Sequence, residues 1–277
     1  MKGKSIRYGV KRRVEIESRY ESSERMLVWK GVGMKNTLFP NSKILLMYPV
    51  LNEEKKIGSA IQRVPEGYVD EILVVDDDSS DNTRGVCSQL GAIVLKNEVQ
   101  SGVGRCIRRA IQHGWEKGFD VLVIMAGNNK DEPKEIPVLL DPILNHGFDF
   151  VQGSRYLKGG RYGNMPFYRI LASRFIHPWL FSLISGKYIT DSTNGFRAIK
   201  LSSVKQAEID LDQPWLNHYE LEPYLFYKMI RLGFKVCEAP VTKIYPPKEL
   251  GYTKMKPITG WWNILKPLIY LGLRIWR

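Results

Sequence analysis

The sequence predicts an α/β fold in which a mostly parallel sheet is flanked by helices. Short apolar runs end in polar residues and are followed by helical segments, and this unit repeats about every 20–30 residues between positions 43 and 155. Ile72–Val75 is the clearest run, because three of its four residues are β-branched and three consecutive aspartates follow it. A strand buried on both faces of a parallel sheet has this composition. The polar ends of such strands meet at a ligand-binding crevice.

Each element of the first half follows from an apolar run and from the residues that begin or end helices. The helix after the first run closes at Pro65 and Gly67, which are helix-ending residues, and Pro133 begins a later helix. The predicted strands are Lys43–Tyr48, Ile72–Val75, Ala92–Leu95, Asp120–Met125 and Phe150–Gly153. The predicted helices cover residues 52–63, 81–90, 105–113 and 133–146.

The second half is less regular in pattern. A basic, glycine-rich loop covers Lys158–Asn164, and an apolar and aromatic helix is predicted from about Tyr168 to Ser185. An acidic helix around Tyr219–Glu222 and a late strand at Phe234–Val241 complete the body. We therefore expect the second half to add further strands and helices to the parallel sheet, with bounds that the sequence pattern predicts less precisely.

Charge divides the chain into a basic extension over residues 1–42, a main domain over 43–255 and an amphipathic segment over 256–277. The formal net charge is +12, but residues 1–43 hold eleven Lys/Arg against four Glu, and residues 243–277 hold seven against one. Cationic ends around a nearly neutral body favour an anionic partner, such as a phospholipid bilayer or a lipid phosphate, over solvated termini that aid solubility. Nucleic acid is not expected, since the sequence has no nucleic-acid fold signature.

The two terminal parts each leave alternatives open. In the extension, the alternating patches Val14–Glu17 and Met26–Trp29 fit either edge strands or a segment that wraps the body. Residues 258–276 contain Lys266 and Pro267, so they form a poor membrane span. Their Trp and Lys/Arg residues favour an interfacial amphipathic helix that binds a membrane surface, over a helix packed on the body or on a partner subunit.

Cysteine usage and the N-terminus indicate the compartment. Three widely spaced cysteines without a C-x-x-C pattern favour a reducing environment and neither a disulfide framework nor a zinc site. No apolar stretch typical of a signal peptide begins the sequence. We expect a cytoplasmic protein that associates peripherally with a membrane, and a homo-oligomer stays open.

Five motifs, in one order, resemble those of a known family. They are Tyr48-Pro49 with Asn52-Glu53, Val74–Asp77 with Ser79 and Asp81, Gly102-x-Gly104, Gly153–Arg155, and Asp191 with Asn194–Arg197. Over roughly residues 43–255 the sequence is similar to family 2 glycosyltransferases of the GT-A fold, nearest to dolichyl-phosphate mannose synthases and other polyprenyl-phosphate glycosyltransferases. The resemblance implies transfer of a sugar from a UDP- or GDP-sugar to a polyprenyl (dolichyl-type) phosphate by inverting displacement.

The resemblance also implies roles for individual residues. Those expected to bind the nucleotide sugar are Pro49, Val50, Asn52, Glu53, Asp76, Asp77, Asp78, Gly102, Gly104, Arg105, Gly127 and Asn128. Those expected to be catalytic are Asp191, Arg155 and Lys130, and those expected to bind the acceptor are Arg161, Asn194, Arg197 and Lys254. Guanidinium groups suit phosphate because they bind its oxygens in a bidentate way.

One departure from the family concerns its metal motif. Where the family carries Asp-x-Asp after the fourth strand, this sequence has Ala126-Gly127-Asn128. Asn128, with Asp131 or Asp78 nearby, is the remaining candidate for Mg²⁺ or Mn²⁺, but neutral oxygens hold hard divalent cations less tightly than carboxylates do. The alternative is that Lys130 supplies positive charge to the diphosphate. We therefore expect weak metal dependence with activity retained.

The acceptor decides whether a general base is needed. A hydroxyl acceptor requires one, for which Asp191 is the candidate and Glu220 or Glu222 are the reserves. A lipid phosphate is already ionised, so Arg161 and Arg197 need only position it. The alternatives to lipid-phosphate transfer are a glycosyltransferase acting on a glycan hydroxyl and a nucleotide-sugar-binding pseudoenzyme that lacks the Asp-x-Asp motif.

Overall fold

The computed structural model describes residues 36–246, 259–273 and 275. Most of the predicted extension over 1–42 lies outside the described residues, including the patches Val14–Glu17 and Met26–Trp29. Lys254, which was expected to bind the acceptor, lies outside them as well.

Seven strands form one sheet in the order β3-β2-β1-β4-β7-β5-β8, and a small second sheet pairs β6 with β9. Within the large sheet, β7 runs antiparallel to both of its neighbours, while every other described pairing is parallel. The strands are β1 Ile44–Val50, β2 Glu71–Asp76, β3 Ile93–Lys96, β4 Val121–Ile124, β5 Phe150–Ser154, β6 Arg161–Gly163, β7 Arg197–Lys200, β8 Val236–Pro240 and β9 Thr242–Ile244. The expectation of a mostly parallel α/β sheet is confirmed.

Helices connect the strands and pack against the sheet. They are α1 Glu54–Gln62, α2 Thr83–Gln89, α3 Val103–Glu116, α4 Ile136–His146, α5 Phe167–Leu171, α6 His177–Ser185, α7 Leu201–Gln206, α8 Leu221–Arg231 and α9 Thr259–Gly272. A π-helical turn over Ala172–Ile176 joins α5 to α6, so the predicted helix from Tyr168 to Ser185 is present with a wider turn inside it. Short 3₁₀ turns occupy Pro133–Glu135 and Pro214–Leu216.

The core lies on the central strands, as their composition predicts. Ile44–Tyr48 of β1 and all of Leu73–Val75 in β2 are fully buried, because helices cover the apolar strands of the sheet. Each such aliphatic side chain contributes roughly 1.5–3 kcal/mol relative to an exposed position. Burial of these apolar residues therefore fixes how the strands align, and this alignment brings the polar residues at their ends to one edge of the sheet.

The C-terminal helix packs partly on the body. Leu268 and Leu271 of α9 are buried in the main core cluster, and a Cβ on Gly272 would contact Ile184 of α6. Trp262 on the same helix is about half exposed. One face of this helix is therefore packed on the body, which was the alternative to a membrane-binding helix in the sequence analysis. No described helix is long and apolar enough to cross a membrane.

A loop over Leu216–His218 lies directly on the start of α3. Arg105 N donates to Asn217 O at 3.2 Å, and Arg108 donates to Leu211 O at 2.8 Å and to the Asn217 side chain. A Cβ on Gly104 would lie 1.9 Å from Leu216 O. Glycine is therefore required at 104 for this close approach of two backbones.

We expect Gly104→Ala to lower the free energy of unfolding by about 1–3 kcal/mol, because the loop backbone must move to admit a methyl group. Urea denaturation measures this change. Gly58→Ala in α1 is the matched control, since its Cβ would meet the Val86 and Leu90 side chains at 3.2 and 3.7 Å and no backbone. Equal effects of the two substitutions would contradict the packing described here.

Candidate active site

A cleft of about 530 Å³ opens at the carboxyl edge of the parallel strands. Its wall combines the ends of β1, β2, β4 and β5 with the start of α3 and the loop before β7. The residues expected from sequence that line it are Pro49, Val50, Glu53, Asp77, Gly102, Gly127, Asn128, Lys130, Arg155 and Arg197. The structure thus brings seven of the twelve predicted donor-side residues and three cations with predicted phosphate-binding roles to one cavity.

Other expected residues lie outside the lining of this cleft. They are Asn52, Asp76, Asp78, Gly104, Arg105, Asp131, Arg161, Asp191 and Asn194. Asp76 accepts from Ser79 N at 3.1 Å and pairs with Arg84 at 2.8 Å, and Asp78 pairs with Lys96 at 3.2 Å. These carboxylates therefore shape the loops behind the cleft, and their binding roles stay predictions.

Asp77 connects the end of β2 to the glycine loop before α3. Its Oδ1 accepts from Asn97 Nδ2 and Ser101 N, both at 2.8 Å, and its Oδ2 accepts from Gly102 N at 2.7 Å. A carboxylate oxygen accommodates two donors, so Oδ2 keeps capacity for a ligand hydroxyl or ring N–H. The loop and the carboxylate therefore hold each other in position at the cleft floor.

Arg155 and Asp191 form a buried, bidentate ion pair at the end of β5. Arg155 Nε and Nη2 donate to the two Asp191 oxygens at 2.7 and 2.8 Å, and Nη2 also donates to Thr193 Oγ1 at 2.7 Å. Asp191 is fully buried, while Arg155 lines the cleft. The carboxylate therefore positions the guanidinium, and its expected role as a base stays a prediction.

Glu238 of β8 fixes the loop that carries Asp191. Its carboxylate accepts from Thr190 N, Thr190 Oγ1 and Asp191 N at 2.8–2.9 Å. Burial raises the pKa of Glu238 to about 7 in spite of these donors. A chain of contacts thus runs from β8 through Asp191 to Arg155 in the cleft, and sequence patterns did not indicate Glu238.

Positive charge dominates the cleft. Among the described residues, six Lys/Arg side chains line it against three carboxylates, and the six are Lys56, Lys130, Arg155, Arg169, Arg197 and Lys243. The ion pairs at 2.5–2.9 Å include Lys56–Glu53, Arg155–Asp191, Arg197–Glu222 and Lys243–Asp131. Such a surface attracts an anion with more than one negative charge.

Lys130 lies at the centre of this charge. Its side chain is buried, and its Nζ lies 4.1 Å from the centre of the Tyr245 ring, with the Arg169 guanidinium 5.6 Å from the same ring. Burial, followed by the positive charges of Lys243 and Arg169, lowers the pKa of Lys130 to about 7. A bound anion would reverse that effect by favouring the charged ammonium.

The residues expected to hold a metal do not form a suitable donor set. Asn128 Oδ1 is a buried oxygen without a hydrogen-bond partner among the described residues, and it faces the cleft. The Asp131 oxygens accept from Lys243 Nζ at 2.5 Å and from Ala126 N at 3.2 Å. The described residues contain no cluster of three or more His, Cys, Asp or Glu side chains that could hold a metal ion. A single neutral amide oxygen holds a hard divalent cation less tightly than a set of carboxylates does.

Several lining residues were not indicated by sequence reasoning. His177 lies on α6 with its Nδ1 2.6 Å from Ser192 Oγ, and burial lowers its pKa to about 4, so it is neutral at neutral pH. Arg169 and Tyr245 come from segments without a motif. Glu222, a reserve base in the sequence interpretation, lines the cleft and pairs with Arg197, whereas Glu220 does not line it. The sequence feature that could have indicated His177 as a site residue is its position as a polar residue inside the apolar helix predicted over 168–185.

Comparisons with known proteins show the family of the chain and its fold. The model of the family "Glycosyl transferase family 2" matches residues 46–203. Polyprenol monophosphomannose synthase from Mycolicibacterium smegmatis is 30% identical over 79% of this chain and 83% of its own length. Undecaprenyl-phosphate mannosyltransferase from Micrococcus luteus is 30% identical over 77% of this chain and 87% of its own length.

Solved structures show the same fold. Glucosyl-3-phosphoglycerate synthase from Mycobacterium tuberculosis, in complex with Mn²⁺, UDP-glucose and phosphoglyceric acid, superposes with a TM-score of 0.63 at 19% identity. The match covers 90% of this chain and 86% of that one. The expected GT-A arrangement of a mostly parallel sheet flanked by helices is therefore confirmed.

We expect Asp191→Ala to lower the free energy of unfolding by about 3–5 kcal/mol, because it leaves the Arg155 guanidinium buried without its carboxylate. Chemical denaturation measures the loss. The double variant Asp191→Leu with Arg155→Met should lose less free energy of unfolding than the sum of the losses measured for Asp191→Leu alone and for Arg155→Met alone. Lys96→Met, which removes one partner of an exposed pair, is the control and should cost less than about 1 kcal/mol. Additive effects at 155 and 191 would contradict the pairing.

Proposed function

The chain belongs to glycosyltransferase family 2, and from this premise we propose that it moves one sugar from a nucleotide-diphosphate sugar to a polyprenyl phosphate. It is an enzyme, a glycosyltransferase with the GT-A fold. The relatives named polyprenol monophosphomannose synthase and undecaprenyl-phosphate mannosyltransferase support the lipid-phosphate acceptor. The proposed donor is a UDP- or GDP-sugar.

The observation that carries the proposal is the excess of positive charge in the cleft. Six cations against three carboxylates line a cavity of about 530 Å³, within the size range of small-ligand sites. Donor and acceptor together bring a diphosphate and a phosphate monoester into this space. Cations held in place by the fold stabilise negative charge without reorganising during the reaction.

The donor is proposed to bind along the ends of β1 and β2. Glu53 and Asp77 line this part of the cleft and suit donors on the base and ribose, because carboxylates accept hydrogen bonds from N–H and O–H groups. Lys130 and Arg155, which also line the cleft, are proposed to contact the diphosphate, on which negative charge develops as it leaves. Gly127, at the end of β4, has no room for a side chain, since a Cβ there would lie 2.5 Å from Val50.

The contacts of Asp191 favour a phosphate acceptor, because this carboxylate is not available as a general base. Both of its oxygens are engaged by Arg155, whereas an ionised phosphate needs orientation and no proton removal. Arg197 lines the cleft, and its Nε is a buried donor without a hydrogen-bond partner among the described residues. We assign Arg197 and Arg169 to the acceptor phosphate, which then attacks the anomeric carbon in line and inverts it.

The test of the function is transfer of labelled sugar into a lipid extract. The purified chain is incubated with UDP- and GDP-sugars and with polyprenyl phosphate in detergent, and polyprenol without phosphate serves as the control acceptor. We expect label in lipid with the phosphate acceptor alone. Binding of a nucleoside diphosphate, seen as a rise in thermal stability, without transfer to any acceptor would favour a nucleotide-sugar-binding pseudoenzyme.

Transfer is expected to persist in excess EDTA with most of its rate, because cations of the chain neutralise the diphosphate and the residues at 126–128 lack a carboxylate. Rates are measured with and without EDTA and after adding Mn²⁺. Complete loss of transfer, restored by Mn²⁺, would reject the role of Lys130 as the replacement charge.

Affinity for the nucleoside diphosphate is expected to fall as pH rises above 7, by up to about tenfold per pH unit, since binding then requires a proton on Lys130. Calorimetric titration between pH 6.5 and 9 measures it. Lys130→Arg should flatten the profile, because guanidinium stays protonated, and Lys130→Met should bind weakly throughout. The matching nucleoside, which has no phosphate, is the control ligand. A wild-type profile as flat as that of Lys130→Arg would contradict the assignment.

A further inference from the structure

The helical segment from α5 to α6 presents an apolar face to solvent. Large side chains recur every fourth residue along it and are 46–78% exposed. They form the apolar stripe, which consists of Phe167, Leu171, Phe175, Trp179 and Leu183. Tyr168 and Ile176 extend it and are 42% and 47% exposed. A surface helix of a globular protein normally turns such a face toward the core, so this stripe indicates an interaction surface.

The π-helical turn over Ala172–Ile176 keeps the stripe on one side of the segment. Four residues of an α-helix overshoot one turn by about 40°, so a strict four-residue spacing would drift around the helix. A π turn takes one more residue per turn and offsets part of this drift. The wider turn therefore aligns apolar residues of α5 with those of α6.

The chain segment that carries the stripe holds charge of a single sign. Residues 150–190 contain six Lys/Arg and no Asp or Glu. Of these cations, Lys158, Arg161, Arg174 and Lys187 are exposed. Exposed aromatic residues beside Lys/Arg suit the headgroup region of a bilayer, where aromatic rings and cations both find partners.

The same segment forms a wall of the active-site cleft with its other side. Arg169, Ser173 and His177 line the cleft, while the stripe residues next to them in sequence face solvent. A surface that contacts the stripe therefore lies within one helix diameter, about 10–12 Å, of the cleft. That distance suits an acceptor whose phosphate must enter the cleft while its chain stays in lipid.

We propose that the apolar stripe docks on the surface of an anionic phospholipid bilayer and holds the cleft at headgroup level. This inference deepens the proposed function and rests on it for the reason why docking is useful. It assigns the membrane contact to residues 167–183, whereas sequence reasoning assigned it to the C-terminal segment. A second copy of the chain is a poorer occupant, because a two-fold contact would oppose the same cations on both partners.

The test is flotation of the full-length chain with vesicles. Phosphatidylcholine vesicles containing phosphatidylglycerol are compared with pure phosphatidylcholine vesicles, at low and high salt. We expect binding to the anionic vesicles that weakens at high salt. Phe175→Ser combined with Trp179→Ser should weaken binding by about tenfold or more, because two aromatic side chains leave the interface.

Two control variants separate the stripe from other exposed apolar residues. Val99→Ser combined with Leu232→Ser removes side chains that are 66% and 50% exposed elsewhere, and binding should be unchanged. Trp262→Ser tests the C-terminal helix without removing Leu268 and Leu271 from the core. Thermal unfolding checks that each variant folds. Loss of vesicle binding in Trp262→Ser, with the stripe variant unaffected, would overturn the proposal.

Other outcomes also decide the matter. Failure of the wild-type chain to float with anionic vesicles would overturn the inference, and so would a lipid-free dimer that the stripe variant converts to a monomer. Transfer to polyprenyl phosphate in detergent is measured separately and should be retained by the stripe variant. Vesicle binding without transfer would reject the proposed function and leave the docking surface standing, whereas transfer without vesicle binding would do the opposite.

Discussion

The defining constraint of the active-site cleft is that several positively charged side chains lie close together around Lys130. Burial in the cleft, followed by repulsion from Lys243 and Arg169, disfavours the charged ammonium of Lys130, and its lowered pKa expresses that cost. The fold tolerates the arrangement because carboxylates pair with several of these cations. Asp191 pairs with Arg155 and Asp131 with Lys243 behind the cleft, whereas Glu53 pairs with Lys56 and Glu222 with Arg197 in its wall. An anionic ligand would relieve the repulsion that remains.

Topology supplies this arrangement from distant parts of the chain. Lys130 follows β4 and Arg155 follows β5, while Asp191 lies in the loop before β7 and is held there by Glu238 of β8. The antiparallel β7 lies between β4 and β5, so its preceding loop reaches the same edge as the two parallel strands. The segment from α5 to α6 then closes one side, which connects the reacting phosphates to the surface proposed to meet lipid.

Sequence reasoning recovered what depends on local pattern. The buried strands β1, β2 and β4 have continuous apolar runs, and the polar residues that follow β2 and β5, Asp77 and Arg155, do line the cleft. It missed β7, because Arg197–Lys200 is a four-residue strand directly after a loop motif, and it missed the pairing of β6 with β9. Long-range pairing decides the rest: nothing local to Asp191 indicates Arg155 as its partner, and nothing in residues 259–272 separates a core-packed face from an exposed one.

The most direct measurement of the central claim is a crystal structure of the chain with a bound nucleoside diphosphate. The claim predicts that the phosphates lie within hydrogen-bonding distance of Lys130 Nζ, with Asp77 and Glu53 on the nucleoside side of the cleft. A diphosphate bound instead in the groove lined by Arg105, Arg108 and Arg109 of α3, with the cleft empty, would contradict it.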